Sequence, residues 1–234
     1  YDLRLKNNPS LSNLSKKVDK VIPIFIFDPE ENIGSTSRWW LEKSLIRLHK
    51  SISDENGTLN IFYGNPQKII SQIITNEKIN FFSWNRLYDP YSIQRDTEIK
   101  SFLSSRKIEC NTFNGYLLNE PWKVKNKSGS FFKVFTPYWK NCVEIINNRT
   151  IQKIAKIKNY SKILLEGSKR IKELNLIDKN QEWLNKIESN WSPGEDSAQI
   201  QLKNYISKKA NNYGVGRDRP DKDLTSKLSP YLHF

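Results

Sequence analysis

Val21-Ile22-Pro23-Ile24-Phe25-Ile26-Phe27 is an apolar run without a polar break, closed by Asp28-Pro29. A strand that shows no alternation is buried on both faces, and such strands belong to parallel sheets covered by helices on either side. Pro23 has no backbone donor, so it is expected near the start of the strand. Three more strand-like runs follow, Leu59 to Tyr63, Ile79 to Trp84 and Ile108 to Phe113. Between them Leu41, Leu45, Leu48 and Ile52 share a helical face that Asn56-Gly57 would end. Pro66 suits the first turn of a helix bearing Ile69, Ile70, Ile73 and Ile74. A third helix, from about Pro90 to Ser105, is predicted to turn Ile93, Ile99, Phe102 and Leu103 toward the sheet.

This alternation predicts an α/β, doubly wound parallel sheet, with its first strand mostly upstream of Tyr1. Its ligand crevice would lie after the strands' carboxyl ends, at Asp28-Pro29 and Asn85-Arg86. No strand is followed by G-x-G-x-x-G, and G-x-x-x-x-G-K-[ST] does not occur, which argues against dehydrogenases and P-loop enzymes.

The chain has 234 residues, no Met and a net charge of +13. Its apolar runs are far shorter than the roughly 20 residues a bilayer demands, so a cytoplasmic protein with no membrane partner is expected. Cys110 and Cys142 read as free packing thiols. With His49 and His233 as the only histidines, a zinc site lacks ligands. Between Lys123 and Lys179 stand fourteen Lys or Arg against Glu144, Glu166, Glu173 and Asp178. That excess fits a polyanion partner through counterion release. It equally fits a solvated connector encoded by an AT-rich genome.

Residues 1–122 read as the α/β domain and 123–190 as an aromatic, then Lys-rich, connector with one or two surface helices. A second, helical domain begins at about Trp191 and is incomplete at Phe234, and the chain reads as truncated at both ends.

Separated motifs carry a family resemblance. They are Asp2-Leu3-Arg4-Leu5-Lys6-Asn7-Asn8-Pro9, Pro23 to Pro29, Trp84-Asn85-Arg86-Leu87-Tyr88-Asp89-Pro90 and Phe132-Lys133-Val134-Phe135-Thr136-Pro137-Tyr138. Towards the C-terminus stand Trp191-Ser192-Pro193-Gly194-Glu195, Tyr213-Gly214-Val215-Gly216-Arg217-Asp218-Arg219-Pro220 and Thr225-Ser226-Lys227-Leu228-Ser229-Pro230-Tyr231-Leu232-His233-Phe234. In this order they resemble the photolyase/cryptochrome family, most closely class I cyclobutane pyrimidine dimer photolyases, although Asn7 replaces the family's usual Asp.

The resemblance implies an all-α FAD-binding domain that starts here. Tyr213, Thr225, Ser226, Lys227, Leu228 and Ser229 would contact FAD, and Arg217 would contact DNA containing pyrimidine dimers. Thr225 and Ser226 are good N-caps, and a helix starting there would turn its free amides to a pyrophosphate. An ordinary capped helix explains the same residues, and a surface ion pair explains Arg217-Asp218. No catalytic acid, base or nucleophile is expected, because the photoexcited reduced flavin supplies the electron. The seven tryptophans read as packing residues, the redox tryptophans of the family lying downstream. A second, antenna chromophore of folate or deazaflavin type is implied as well. The parent is expected to be a monomeric, light-dependent DNA repair lyase, with 1–234 inactive and poor at binding FAD alone. The alternatives are a cryptochrome photoreceptor without repair and an α/β module that binds nucleic acid through its basic connector.

Overall fold

In this computed structural model, which describes residues 2–148, 157 and 159–234, β1 (Ile24–Phe27) begins at the first residue after Pro23. It pairs in parallel with β2 (Asn60–Tyr63), and β3 (Phe81–Asn85) pairs in parallel with β4 (Glu109–Phe113). The crossovers are helical: α2 (Ser35–Asp54) joins β1 to β2, α3 (Pro66–Asn76) joins β2 to β3, and α4 (Pro90–Ser105) joins β3 to β4. An α1 helix (Pro9–Ser15) precedes them and packs on β3 and β4.

One local device starts three of these helices. Asn8-Pro9, Asn65-Pro66 and Asp89-Pro90 each put a side-chain acceptor before a proline, which has no donor to leave orphaned. The acceptors take the amides of Leu11, Lys68 and Ser92 at 3.1, 3.1 and 2.9 Å. After α2 the left-handed position falls on Asn56, with φ at 59°, one residue before the glycine. Gly57 serves close approach instead, since a Cβ there would sit 2.5 Å from Tyr160 Cβ.

On α4, Ile99 and Leu103 are buried against Ile70 and Phe82. Ile93 is not; it is 49% exposed, which corrects the expected face. Ser92 and Asp96 take the buried positions, and Asp96 accepts a 2.6 Å hydrogen bond from Trp84 Nε1. A carboxylate that meets an indole donor is satisfied where an isoleucine was expected.

The Lys-rich segment supplies core as well as surface. Tyr160, Leu165, Leu174 and Leu176 are buried, and the first and the last two of these join Leu41, Leu45, Ile52, Leu59 and Ile61 in the main cluster. Its backbone runs beside β2: Thr58 donates to Ser161 O at 2.9 Å, Leu165 to Asn60 Oδ1 at 2.7 Å and Lys169 to Ile61 O at 2.7 Å. By contrast, much of the preceding apolar segment stays outside. Phe131, Val134, Phe135 and Trp139, on and before α5 (Phe135–Asn147), are all more than half exposed. Both cysteines are free, and burial pushes the Cys110 thiol up to about 11. No helix among the described residues is long and apolar enough to cross a membrane.

Among the described residues β1 and β3 do not pair, yet Ile24 and Ile26 pack against the cluster around Ile70 and Phe82. Each strand therefore keeps one open edge beside a shared apolar cluster. An apolar strand supplied ahead of Tyr1 is expected to pair with those edges and slow amide exchange in both β1 and β3. Unchanged exchange in a protein carrying that extension would refute the pairing.

Candidate functional site

The motif Trp191-Ser192-Pro193-Gly194-Glu195 joins two parts of the molecule. It follows α6 (Trp183–Asn190) and opens α7 (Glu195–Lys208). Trp191 packs edge-on to Trp40 of α2, centroids 5.7 Å apart. Ser192 and Ser197 accept from Arg47 Nη2 and Nη1 at 2.7 and 2.5 Å. Gly194 holds φ at 105° where a Cβ would lie 2.6 Å from Arg47 Cδ, so both conformation and space call for glycine. Glu195 then accepts the backbone amides of Leu5 and Lys6 at 3.0 and 2.9 Å. Trp191, Ser192 and Glu195 thus fix α7 to the α/β domain through named contacts, and Gly194 leaves room for Arg47.

Tyr213 opens the short α8 (Tyr213–Gly216), 42% exposed and edge-on to Tyr205. Arg217 follows the helix, its guanidinium 6.0 Å from the Tyr213 ring centre and its Nε 3.4 Å from Asp218. Both partners of that ion pair are well exposed, so it holds Arg217 weakly. The loop after Arg217 folds back: a Cβ on Gly216 would meet Leu224 Cβ at 2.4 Å, and Gln201 Nε2 donates to Ser226 O at 2.9 Å. Asp223 lies between Lys209 at 2.8 Å and Lys227 at 3.0 Å, and hydrogen bonds from these two ammonium groups hold its carboxyl below the ordinary range. Gly216, between Tyr213 and Arg217, thus lies against Leu224, the residue before the Thr225 to Ser229 run.

The run does not form the expected helix start. The last helix, α9 (Ser229–His233), begins four residues later, with Pro230 in its first turn and no side-chain cap from Leu228. Thr225 and Ser226 are thus not N-caps. Ser226 Oγ accepts the Leu228 amide at 3.3 Å, and Lys227 adopts the left-handed conformation, φ 52°. The run therefore turns at Lys227 and Leu228 before α9 begins. Among the described residues the hydroxyls of Thr225 and Ser229 have no hydrogen-bond partner, which leaves donors for a phosphate-bearing cofactor such as FAD. The residues present fit one wall of such a site.

After the run, the chain returns to the α/β domain. Tyr231 and Phe234 pack on Trp40, centroids 4.9 and 6.4 Å away, and Leu3 N donates to Phe234 O at 3.1 Å. Trp39, Trp40 and Trp191 serve packing in this structure. Trp183, half-buried, lines an open cleft with Lys186, Asn190 and Lys227. Its signal in the sequence was the stripe Trp183, Lys186, Ile187, Asn190, at helical spacing.

With this geometry, residues 1–157 match the family model described as DNA photolyase. The chain belongs to the DNA photolyase family. It is 30% identical over 99% of its length to a deoxyribodipyrimidine photo-lyase of Agrobacterium fabrum, of which it covers 48%. Over its whole length it is 31% identical to Cryptochrome-2 of Arabidopsis thaliana, covering 39% of that protein. The crystal structure of a bacterial class III photolyase from Agrobacterium tumefaciens superposes with a TM-score of 0.88 at 29% identity, over 99% of this chain and 48% of the other. The photolyase-family chain thus spans half or less of the length of these relatives. Its α/β architecture with parallel strands, followed by helices, agrees with the fold read from the sequence.

Proposed function

We propose that the whole protein repairs cyclobutane pyrimidine dimers in DNA under light, with FAD as its redox cofactor and an antenna chromophore beside it. The observation that carries this reading is the fold-back of the chain after Arg217, where Leu224 lies against Gly216 and Ser226 accepts from Gln201 of α7, with the hydroxyls of Thr225 and Ser229 left free among the described residues. When bound, FAD supplies the electron that splits the dimer. The protein's own part is positional: the free hydroxyls of Thr225 and Ser229 and the Lys227 ammonium hold an anionic cofactor, and Arg217 clamps a backbone phosphate beside an extruded lesion. The motifs point to class I, whereas the solved Agrobacterium relative is a class III photolyase; the same repair reaction is expected with either.

The test is dimer removal by the full-length protein from irradiated DNA under blue light. Loss of dimers in light and none in darkness is expected. Arg217→Ala should weaken binding to dimer-containing DNA about tenfold and lower the salt slope by about one. Flavin-loaded protein that leaves dimers intact would instead support the second reading, a cryptochrome photoreceptor, which the equal likeness to Cryptochrome-2 favours. Binding that ignores the lesion and is unmoved by Arg217→Ala would point to the basic connector instead.

A further inference from the structure

One face of α7 carries Gln201, Tyr205 and Lys209 at four-residue spacing. Lys209 follows the last residue of the helix, but its amide still donates to Tyr205 O at 2.9 Å, so the helical spacing reaches it. These three are half-buried, whereas residues 202–204 and 206–208 are exposed. Each holds a different part of the chain that follows. Gln201 Nε2 donates to Ser226 O at 2.9 Å, Tyr205 stands edge-on to Tyr213 with centroids 6.5 Å apart, and Lys209 Nζ donates to Asp223 Oδ2 at 2.8 Å. At its amino end the same helix is fastened to the α/β domain, where Glu195 takes the Leu5 and Lys6 amides. α7 thus carries a fixed frame from that domain to the loop that follows it.

The Lys209 end of the stripe has the most to hold. Tyr213 and Arg217 stand between Lys209 and Asp223, so this bridge closes the loop that bears both. The other oxygen of Asp223 meets Lys227 Nζ at 3.0 Å. Lys227 is left-handed, φ 52°, a conformation that a residue with a side chain keeps only where its surroundings fix it. Bonds from the two ammonium groups hold the Asp223 carboxyl below its ordinary range, so it stays ionised and the bridge stays closed at neutral pH.

By charge alone, a carboxylate beside Lys227 opposes an anionic cofactor. What Asp223 contributes is therefore geometry: it ties the backbone turn at Lys227 to the end of α7.

We propose that Gln201, Tyr205 and Lys209 are positioning residues, and that the Lys209–Asp223–Lys227 bridge is the clasp that holds Tyr213 and the Thr225 to Ser229 run in the arrangement that receives a phosphate-bearing cofactor; the inference rests on the FAD reading proposed above. None of Gln201, Lys209 and Asp223 touches the cofactor in this account. They act through the residues that they hold.

The test is titration of FAD into the full-length protein stripped of flavin, read by flavin fluorescence, over a cycle of variants at Lys209 and Asp223. Asp223→Asn should weaken FAD binding about fivefold although it removes a negative charge beside Lys227, and Lys209→Met should weaken it by a similar factor. The double variant should be no weaker than either single one, since the same clasp is lost in each. Lys209→Arg, which can still bridge, should bind as the parent does. Tighter or unchanged binding by Asp223→Asn would overturn the proposal, as would a double variant that regains the parent's affinity, because charge balance would then be the whole effect. A double variant weakened by the product of the two factors, or Lys209→Arg as weak as Lys209→Met, would overturn it too.

A second measurement needs no flavin. Amide exchange across 213–229 should quicken in flavin-free Asp223→Asn and Gln201→Leu, with exchange in β1 and β2 unchanged. Unaltered exchange across 213–229 would overturn the proposal. If Asp223→Asn does not fold, Lys209→Met decides in its place. A full-length protein that binds no FAD would refute the cofactor reading, and the exchange measurement would still decide whether the clasp holds the loop.

Discussion

Arg86→Met is expected to destabilise the protein by about 3 kcal/mol, the low end for breaking a buried ion pair, because Arg86 is itself partly exposed. Glu120 is 1% exposed at its side chain and Arg86 is 25% exposed. Glu120 Oε1 accepts from Arg86 Nη2 at 2.6 Å, Arg86 Nε at 3.0 Å and Tyr88 OH at 2.9 Å, while Oε2 faces Lys123 Nζ at 3.1 Å. Arg86 Nη1 also donates to Thr112 O at 2.6 Å, so one guanidinium ties the end of β4 to the segment that follows it. Removing it leaves the carboxylate with Tyr88 and with Lys123, whose side chain is 69% exposed and screened by water.

The pH dependence of this group has a definite sign. Burial pushes the Glu120 carboxyl up, but the bonds from Arg86, Lys123 and Tyr88 outweigh it and hold the group below the ordinary range. A depressed carboxyl stabilises the fold at pH above its unfolded value, and that share is lost as pH falls through the folded value. Urea midpoints measured from neutral to acid pH should therefore show the Arg86→Met deficit shrinking as Glu120 protonates. The double variant Arg86→Met/Glu120→Leu should recover part of the loss, since no buried charge is then stranded. A double variant as unstable as the sum of the single changes would show that the pair acts independently and that the network account is wrong.

The strands and the starts of α3 and α4 were legible because their signals are local. An apolar run, an Asx-Pro pair and a left-handed Asn each act within a few residues. The start of α9 was misplaced although its signal, Ser229-Pro230, was also local: proline fits the first helical turn better than Thr225 and Ser226 fit as caps. What local reading could not reach was partnership at a distance. Tyr160, Leu174 and Leu176 stand singly in a Lys-rich segment, and only the approach of that segment to β2 and α2 makes them core. Ile93 and Asp96 exchange roles because Trp84, on another element, supplies a donor. In the candidate site, Tyr213, Arg217 and the Thr225 to Ser229 run were named from motifs alone. The contacts that bring them together, Gly216 on Leu224 and Gln201 on Ser226, follow from no spacing rule.

Trp40→Ala should cost about 3–5 kcal/mol and loosen the C-terminal helices from the α/β domain, since Trp40 is the ring on which both their ends converge. The indole is 4% exposed and touches Trp39, Trp191, Tyr231 and Phe234 at centroid distances of 5.9, 5.7, 4.9 and 6.4 Å. Other ties exist: Glu195 to the Leu5 and Lys6 amides, Lys6 to Asp196 at 2.8 Å, and Arg47 to Ser192 and Ser197. Most of these are exposed, and exposed pairs contribute about 0–1 kcal/mol each. Together they do not replace a buried indole with four aromatic neighbours. Limited proteolysis should therefore cleave Trp40→Ala within 191–234 at protease levels that leave the parent intact, and its near-ultraviolet dichroism should weaken. Trp40→Phe, which keeps a ring in the group, should fall between the two. If Trp40→Ala resists protease as the parent does, the polar ties hold the C-terminal helices, and the Glu195→Ala variant should then release them instead.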